Sequence, residues 1–221
     1  MNLKSLREQA YELLKEQLGN GTLVPRSTLD LDAMAAALGV SRTPLREALL
    51  QLAHEGFVTI LPRRGITVNE LSVDDIRHIY QIIGALENAV IIAAGSRLGR
   101  DEASRMGALN AAMRTALTRD DFDGYYAHNL AFHDVYLDLS DNATLVRTVR
   151  TLKARLYDFP RRKGYVREWE LASTDEHDAI VANVAAGDLR AAADYVRDVH
   201  WSFAVQERFV RRYYAASRKT T

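Results

Sequence analysis

The hydrophobic positions in the first part of the chain recur every three or four residues, which is the spacing of one face of a helix. Glycines follow the apolar runs, and a connection containing Pro25 separates the first two. Ser41 is a favourable N-cap residue, and Pro44 falls in a first helical turn, where proline is tolerated. The pattern predicts one helix over residues 3–18, one over 31–38, and one from Ser41 to Gly56.

The spacing then changes to that of short strands. Residues 57–61 and 66–68 are rich in β-branched side chains, and they flank the sequence Pro62-Arg63-Arg64-Gly65. Two such runs around a glycine-containing turn predict a β-hairpin. We therefore expect residues 1–69 to form a small α/β module and residues 70–71 to form a linker.

From Ser72 onwards the chain shows helical spacing only. Ser72 with Asp75, and Ser173 with Glu176, have the spacing of N-terminal capping boxes. Helices are predicted over residues 73–98, 102–118, 121–139, 143–158, 174–186 and 188–212. The predicted fold class is mainly α, in which the N-terminal module is followed by an all-helical bundle over 72–212 and a basic tail over 213–221.

Composition and charge limit the possible functions. The 221 residues include 29 Lys and Arg against 29 Asp and Glu, so the overall charge gives no support to nucleic-acid binding. Cysteine is absent, which excludes disulfides and thiolate metal sites and leaves nitrogen and oxygen as metal ligands. No apolar run approaches the length of a bilayer span, and the N-terminus lacks the apolar core of a signal peptide. These features predict a cytoplasmic protein without membrane contact.

The second and third predicted helices, joined by a turn at Gly39-Val40, have the arrangement of a helix-turn-helix. Arg42 and Arg46 are four residues apart and share the face opposite the apolar stripe, and an arginine can bind guanine or phosphate through two hydrogen bonds. The hairpin would form a wing beside this helix. The start of the third helix and the wing tip supply the candidate DNA-binding residues, which are Ser41, Arg42, Thr43, Arg46, Arg63, Arg64 and Gly65.

The run LGVSRTPLREALLQLAHEGFVTILPRRGITV closely resembles the winged helix-turn-helix signature of GntR-type transcriptional regulators, and the resemblance extends over residues 3–68. It implies that the residues matching Arg42, Thr43 and Arg46 contact the operator and that Gly65 approaches the minor groove. It also implies a homodimer on a short palindrome of double-stranded DNA. One position departs from the pattern, since several members have a basic residue where this chain has Asp32.

Three of the six histidines lie on the predicted inward faces of separate helices, and His133 is one turn away from Asn129. Neutral imidazole is a good ligand for zinc, nickel, copper or iron. His133, His177 and His200 with Asn129 would leave coordination positions open for water or an anion. A histidine on an apolar face is, however, more often an ordinary core residue, and helical spacing does not show that the three converge. From spacing alone both interpretations stay open.

Residues 72–204 resemble the FCD effector domain of FadR-like GntR regulators. The matching pieces are the triplet Ala85-Leu86-Glu87, NLAFHDVYLDLSDNATL, and DEHDAIVANVAAGDLRAAADYVRDVH. The resemblance implies that one divalent transition metal per chain, zinc, nickel or similar, is bound beside a carboxylate-like effector by Asn129, His133, His177 and His200. Two positions depart from the pattern, because Asn129 stands where aspartate is frequent and Ile83 stands where many members have arginine.

These patterns predict a sequence-specific DNA-binding transcriptional regulator, with a repressor favoured over an activator. Its operator affinity would respond to a small organic acid bound at or near the metal. The first alternative is a regulator with a purely structural metal or without a small-molecule input. The remote alternative is a metal-dependent enzyme, but HExxH and GxSxG motifs are absent, and Glu176, adjacent to His177, is expected to point elsewhere. We therefore do not expect an enzyme.

Overall fold

The computed structural model describes the backbone of residues 4–157 and 166–217, and the side chains of residues 4–156 and 166–212. The chain divides into two compact units. The described part of the first unit comprises residues 4–72 and 153–157, and that of the second comprises residues 73–152 and 166–217. The side chains of the predicted basic tail, 213–221, lie outside the described residues, so the tail stays a prediction.

The first unit combines three helices with a small antiparallel sheet. Its elements are, in chain order, α1 (Leu6–Gly19), β1 (Thr28–Leu29), α2 (Leu31–Leu38), α3 (Arg42–His54), β2 (Val58–Leu61) and β3 (Gly65–Val68). The strands are ordered β1-β3-β2, and both pairings are antiparallel. The predicted winged helix-turn-helix is therefore confirmed, with shifts of a few residues at the ends of its elements.

One apolar core holds the described elements of this unit together. Its largest fully buried side chains come from α1, from α3 and from the start of the hairpin, and they are Leu14, Leu45, Leu49, Leu52 and Phe57. Burial of one such side chain stabilises the fold by about 1.5–3 kcal/mol. Because α3 contributes three of the five, its apolar stripe is fixed toward the core and its opposite face is left in solvent.

The strand β1 is an element that the hydrophobic spacing does not predict. It lies inside the predicted connection between α1 and α2, and it pairs Thr28 with Thr67 and Leu29 with Ile66. Leu29 is buried and Thr28 is exposed, but two residues are too few to show an alternating pattern. The pairing adds a third strand to the predicted hairpin.

The second unit is helical throughout its described residues, as predicted. Its helices are α4 (Val73–Ala94), α5 (Arg100–Thr118), α6 (Phe122–Leu137), α7 (Ala143–Tyr157), α8 (Arg167–Ala186), α9 (Leu189–Tyr195) and α10 (Phe203–Ser217). Residues 153–157 of α7 group with the first unit. A 3₁₀ turn, Gly95–Arg97, follows α4, and a π-helical turn, Val196–His200, follows α9.

The helix α8 starts earlier than its sequence pattern predicts. The helix begins at Arg167 instead of residue 174, so Ser173 and Glu176 lie inside it and the capping box predicted for them is wrong. The true N-cap residue is Val166, whose side chain makes no capping hydrogen bond. The N-cap signal is therefore missing, and the remaining start signal in the sequence is the acidic first turn, with Glu168 and Glu170.

The last predicted helix, 188–212, is also not continuous. Its start is correct, because Gly187 adopts the left-handed conformation (φ 79°) and the Asp188 side chain accepts a hydrogen bond from the amide of Ala191. The helix α9 then passes into the π-helical turn and is interrupted before α10 begins at Phe203. Apolar residues continue at helical spacing across the interruption, so the pattern does not reveal it.

Residues Val73–Arg97 form a helix that is long and apolar enough to cross a membrane, judged by length and composition alone. The expectation that no apolar run reaches this length is therefore wrong. The core helix of a soluble bundle passes the same test, and α4 buries an inward face of nine residues within its unit. Only 44% of its most apolar window is buried, so part of its apolar surface faces outward.

Candidate functional site

The first turn of α3 is exposed to solvent, although the helix is anchored in the core. The predicted DNA-binding residues of this turn are all exposed, and they are Ser41, Arg42, Thr43 and Arg46. Gly39 ends α2 in the left-handed conformation (φ 62°), which lets the chain turn sharply into α3. Ser41 is the N-cap of α3 but makes no side-chain capping bond. Its hydroxyl and the first amides of α3 are therefore available to a phosphate oxygen.

Arg42 forms an ion pair with Asp32, the residue that departs from the family pattern. Arg42 Nε lies 2.5 Å from Asp32 Oδ1, and both side chains are mostly exposed. An exposed pair of this kind contributes about 0–1 kcal/mol, so Arg42 can leave it for a stronger partner. Asp32 thus competes for Arg42 with any phosphate or guanine that approaches α3.

The wing tip presents two arginines to solvent. Arg63 and Gly65 adopt left-handed backbone conformations, with φ of 61° and 95°, and Arg63 and Arg64 are exposed. A side chain at position 65 would be strained, and its Cβ would lie 3.3 Å from Thr28 Cγ2. The tight turn at Gly65 therefore holds the two arginines at the end of the hairpin, from which they could reach a DNA backbone or minor groove.

Three histidines converge in the interior of the second unit. His133 lies on α6, His177 on α8 and His200 at the end of the π-helical turn, with exposed fractions of 0%, 0% and 7%. Each offers one ring nitrogen, and these nitrogens lie within 4.8 Å of one another. The structure thus brings together the three histidines that the sequence marks as candidate ligands.

The Nδ1 atom of each histidine faces an acceptor group. The distances are 3.1 Å from His133 to Glu87 Oε2, 2.8 Å from His200 to Glu176 Oε2, and 3.3 Å from His177 to Asn110 Oδ1. His133 Nδ1 also lies 2.6 Å from Tyr136 OH, which itself donates to Glu87. Because a carboxylate only accepts, a neutral His133 or His200 in this contact has its proton on Nδ1 and its lone pair on Nε2. The Nε2 atoms of His133 and His177 make no hydrogen bond within the described residues. Metal-binding histidines typically have this arrangement, in which one ring nitrogen donates to an acceptor and the other offers its lone pair to the metal.

Asn110 on α5 is oriented by its own hydrogen bonds. Its Nδ2 donates to the carbonyl of Thr174 at 2.8 Å and to Asp178 Oδ1 at 2.6 Å. These two acceptors place the Nδ2 group, which directs Asn110 Oδ1 toward His177. The side chain therefore favours the His177 tautomer with the proton on Nδ1, as in the other two histidines.

Glu87 on α4 is a further polar residue of the histidine site, and the sequence pattern does not predict a role for it. It is fully buried and accepts hydrogen bonds from Tyr136 OH at 2.6 Å and Trp201 Nε1 at 2.7 Å, besides the contact with His133. A buried carboxylate needs such partners, because burial of an unpaired charge is very costly. The sequence does carry one sign of this role. Glu87 is a charged residue within the otherwise apolar stripe of α4, which includes the fully buried Ile83.

The π-helical turn positions His200 and Trp201. Gly84 on α4 permits its close approach, because a Cβ there would lie 3.0 Å from Trp201 Cβ and 3.4 Å from Arg197 Cα. Any larger residue would push the turn away from α4, and with it the hydrogen bond from Trp201 to Glu87. Single π-helical turns are rare in proteins as a whole, but many of those that occur lie at functional sites.

Glu176 does not point away from the site, so that expectation is wrong. Its Oε2 faces His200 Nδ1, and its Oε1 accepts a hydrogen bond from Gln206 Nε2 at 2.7 Å. Adjacent residues on a helix do diverge, but His200 comes from another element and reaches the side of α8 on which Glu176 lies. Both oxygens are engaged, so Glu176 orients His200.

Asn129 lies one turn before His133 on α6 and is 2% exposed. Its Oδ1 makes no hydrogen bond within the described residues, and a buried polar atom in this state costs about 1–3 kcal/mol. A bound cation or ligand would supply the missing partner. Together with the three imidazoles it would form an uncharged nitrogen and oxygen donor set of the kind that suits zinc, nickel or a similar divalent metal.

A winged helix-turn-helix with exposed arginines at the start of its second helix is typical of DNA-binding transcriptional regulators. Residues 6–68 match the bacterial regulatory proteins of the gntR family, and residues 78–200 match the FCD domain. The chain belongs to the gntR family and carries an FCD domain.

Two relatives that are both described as HTH-type transcriptional regulators support this assignment. The chain is 28% identical over 149 residues to the HTH-type transcriptional repressor RspR of Escherichia coli K12, and the match covers 67% of this chain and 65% of RspR. It is 34% identical over 132 residues to an uncharacterised HTH-type regulator in the TAR-I ttuE-ttuC' intergenic region of Agrobacterium vitis, over 57% of this chain and 75% of that protein.

Solved structures show the same fold. Escherichia coli McbR/YncC superposes with a TM-score of 0.72 at 21% identity, over 99% of this chain and 100% of that one. A regulator from Rhodococcus sp. RHA1 gives 0.71 at 22% identity, over 92% and 97%. Relatives and fold are those of transcriptional regulators and not of enzymes.

Proposed function

We propose that this protein is a cytoplasmic, sequence-specific transcriptional repressor of the FadR-like type. A small organic acid, bound at or near a divalent metal in the helical unit, modulates its affinity for the operator. The observation that carries the proposal is the convergence of three buried histidines in a chain that also presents an exposed arginine-bearing recognition helix.

The charge of the donor set supports an anionic effector. Asn129, His133, His177 and His200 are uncharged as ligands, so they do not neutralise a divalent cation. Such a cation supplies positive charge and open coordination positions when it is bound, and a carboxylate is a suitable partner for both. Glu87 and Glu176 face the Nδ1 atoms, so their part is to orient the imidazoles.

For DNA recognition, the exposed turn of α3 would enter the major groove. Arg46 and Arg42 would contact base edges or phosphates, and Ser41 and Thr43 would bind phosphate oxygens. Arg63, Arg64 and Gly65 would place the wing at the backbone or the minor groove. Phosphate contacts position the helix on the duplex, whereas bidentate arginine contacts read its sequence.

The proposal is tested by selecting bound sequences from random duplexes and measuring the winning operator by fluorescence anisotropy. We expect one palindromic sequence to be enriched. With zinc-loaded protein, at least one short-chain carboxylate should change the operator Kd by about fivefold or more, the lower end of typical allosteric coupling. A scrambled duplex is the control. Failure to enrich any sequence would refute the DNA-binding part, and an operator Kd insensitive to every acid would refute the effector part.

The exposed side of α4 supports a homodimer. Ile82 and Ile92 are 44% and 41% exposed, and Ala85 and Ala89 are exposed between them. The spacing of three, four and three residues places all four on one face of the helix. Alanines let two helices approach closely, and the isoleucines supply apolar area. We therefore propose that α4 packs against the same helix of a second copy, which would bring two recognition helices to one palindrome.

Replacing Ile82 and Ile92 together by glutamate should convert the protein from dimer to monomer, because two charges would be desolvated at the centre of the contact. Light scattering after size-exclusion chromatography would measure the mass, against 24.8 kDa for one chain. Ser104→Glu, at an exposed position of α5, is the matched control and should leave the dimer intact. A double variant that stays dimeric would show that the contact lies elsewhere.

A further inference from the structure

A series of hydrogen bonds connects the start of α8 with the histidine cluster. Trp169 Nε1 donates to Gln206 Oε1 at 2.9 Å, and Gln206 Nε2 donates to Glu176 Oε1 at 2.7 Å. The other oxygen of Glu176, Oε2, lies 2.8 Å from His200 Nδ1. These residues all belong to the second unit, and we call them the Gln206 network. The network joins an indole N–H group to a candidate metal ligand.

Gln206 on α10 is a polar residue in the interior of its unit. It is 2% exposed, and Phe209 and Val210 on the same helix are buried apolar residues. A buried carboxamide costs free energy unless its groups are hydrogen bonded. The carbonyl oxygen of Gln206 is bonded to Trp169 and its amino group to Glu176. What a glutamine provides at this position is therefore the placement of these two partners.

The donors and acceptors of the Gln206 network have one consistent arrangement. An indole N–H group only donates, and a carboxylate only accepts. A flipped Gln206 side chain would place two donors together at Trp169 and two acceptors together at Glu176. Because both ends oppose the flip, the carboxamide is held with Nε2 toward Glu176. This hydrogen bond in turn holds the carboxylate with its other oxygen toward His200.

Glu176 also spans the interruption between the π-helical turn and α10. His200 closes the turn, whereas Gln206 lies on α10, which begins at Phe203. One carboxylate on α8 contacts both side chains. The π-helical turn and α10 therefore cannot shift separately along α8 without breaking one of the two contacts. The position of His200 is thus tied to the packing of α10.

We propose that Gln206, itself oriented by Trp169, is a positioning residue of the metal site. It holds Glu176 in place, and Glu176 fixes the ring of His200 with Nε2 toward the other candidate ligands. The inference rests on the proposed function, in which a divalent metal binds at the histidine cluster. Groups that orient a metal ligand typically contribute about 10–100-fold to metal affinity. Gln206 acts through Glu176, so its contribution should lie at the lower end of this range.

Gln206→Met tests this role, because methionine has a similar length but no group that donates a hydrogen bond. The zinc Kd of the full-length protein is measured by competition with a chromophoric chelator, and we expect it to rise about tenfold. Trp169→Phe removes the N–H group and keeps a ring that can stack on Phe209. It should raise the zinc Kd about threefold, since it removes one hydrogen bond at the far end of the network.

The double variant separates a connected network from two independent effects. If Trp169 acts through the Gln206 carboxamide, Trp169→Phe should change the zinc Kd no further in the Gln206→Met background. The double variant should then bind zinc about tenfold more weakly than the wild type. Independent effects would multiply to about 30-fold. A purely structural role of the two residues does not predict this loss of the Trp169 effect.

Val210→Ala is the matched packing control. Val210 is a fully buried residue of the same helix, and its apolar side chain forms no hydrogen bond. The substitution should lower the melting temperature of the metal-free protein, because it leaves a space in the core. It should change the zinc Kd by less than about twofold. The same melts show whether Gln206→Met is folded, and if it is not, the zinc Kd of Trp169→Phe decides the test.

The results that would overturn the inference have different consequences. If Trp169→Phe leaves the zinc Kd unchanged, or if the effects of the two substitutions multiply, the role of Gln206 is wrong and the metal site survives. The same conclusion follows if Val210→Ala weakens zinc binding as much as Gln206→Met does. If the wild-type protein takes up no zinc, the proposed metal site is wrong, and the role of Gln206 is wrong with it.

Discussion

Replacing His177 by alanine should abolish stoichiometric metal binding, while operator binding stays measurable. The residue supplies one of the three converging imidazoles, and its ring stacks on Phe132. The substitution removes a ligand and leaves a space beside Phe132. Loss of an orienting partner alone typically lowers metal affinity 10–100-fold, and we expect loss of a ligand to exceed about 100-fold. Mass spectrometry of metal-loaded, desalted protein measures the effect.

Controls separate ligand loss from general damage. His78→Ala removes an exposed histidine of the same unit and should leave one metal per chain. Glu87→Gln keeps every proposed ligand and should weaken metal binding by about 10–100-fold, because it disturbs the acceptor behind His133. A His177→Ala protein with unchanged metal content would mean that the histidine cluster is a packing arrangement, and the search for an effector would begin without metal.

Metal binding should also raise the melting temperature of the wild type. A ligand at 100 times its Kd stabilises a folded protein by about 2.7 kcal/mol, and His177→Ala should lose this increment. The metal-free proteins should also differ in melting temperature, since the variant loses the packing of a fully buried ring and its contact with Asn110, so the comparison is between the zinc-dependent increments of the two proteins. Thermal melts of both proteins, with and without zinc, therefore report on the same site by a second route.

The helical faces of the candidate metal residues were accessible to sequence reasoning, but their convergence was not. Periodicity places Asn129 and His133 on the inward side of α6, and the structure finds both buried. Periodicity cannot say that His177 and His200 face the same interior, because that depends on how separate helices pack. The resemblance to FCD domains bridged this gap by naming the four positions together.

The carboxylates that face the Nδ1 atoms of the histidines are harder to predict from the sequence. Glu176 was expected to point elsewhere, because two neighbours on a helix diverge, yet it faces His200 from another element. Glu87 had a signal in its position within an apolar stripe, but a stripe does not identify which partners will satisfy a buried carboxylate. The π-helical turn that carries His200 has no periodic signature, since its apolar spacing continues that of a helix.

In the DNA-binding unit the errors are smaller and have a simple cause. The start of α2, which Asp30 caps, is correctly predicted, whereas α1 begins at Leu6 behind a Ser5–Glu8 capping box and not at residue 3. The two-residue strand β1 is missed because it is too short to alternate, and it exists only because β3 offers it a free edge. The local sequence pattern therefore predicts helices and strands that have a clear apolar face of their own. It does not predict a short element, such as β1, that forms by pairing with a distant part of the chain.

Arg46→Ala should weaken operator binding by roughly 1–3 kcal/mol, about 5- to 150-fold in Kd, if Arg46 makes a bidentate contact to a base. Arg46 is an exposed residue of the first turns of α3, whereas the core side chains of this helix include Leu45 and Leu49, so removing the Arg46 side chain does not disturb the core. Anisotropy on the selected operator and on a scrambled duplex separates the two possible roles. A base contact lowers affinity for the operator selectively, whereas a phosphate contact lowers both and makes the salt slope shallower.

Asp32→Asn tests the same surface in the opposite direction. The substitution removes the anion that pairs with Arg42, so Arg42 becomes available to DNA without first breaking an ion pair, and a negative charge near the phosphates is lost. Because an exposed pair contributes about 0–1 kcal/mol, operator affinity should rise by up to about fivefold, with a steeper dependence on salt. Arg7→Ala, an exposed substitution on α1, should change neither quantity. If Asp32→Asn binds the operator no better than the wild type, the ion pair with Asp32 does not limit the access of Arg42 to DNA.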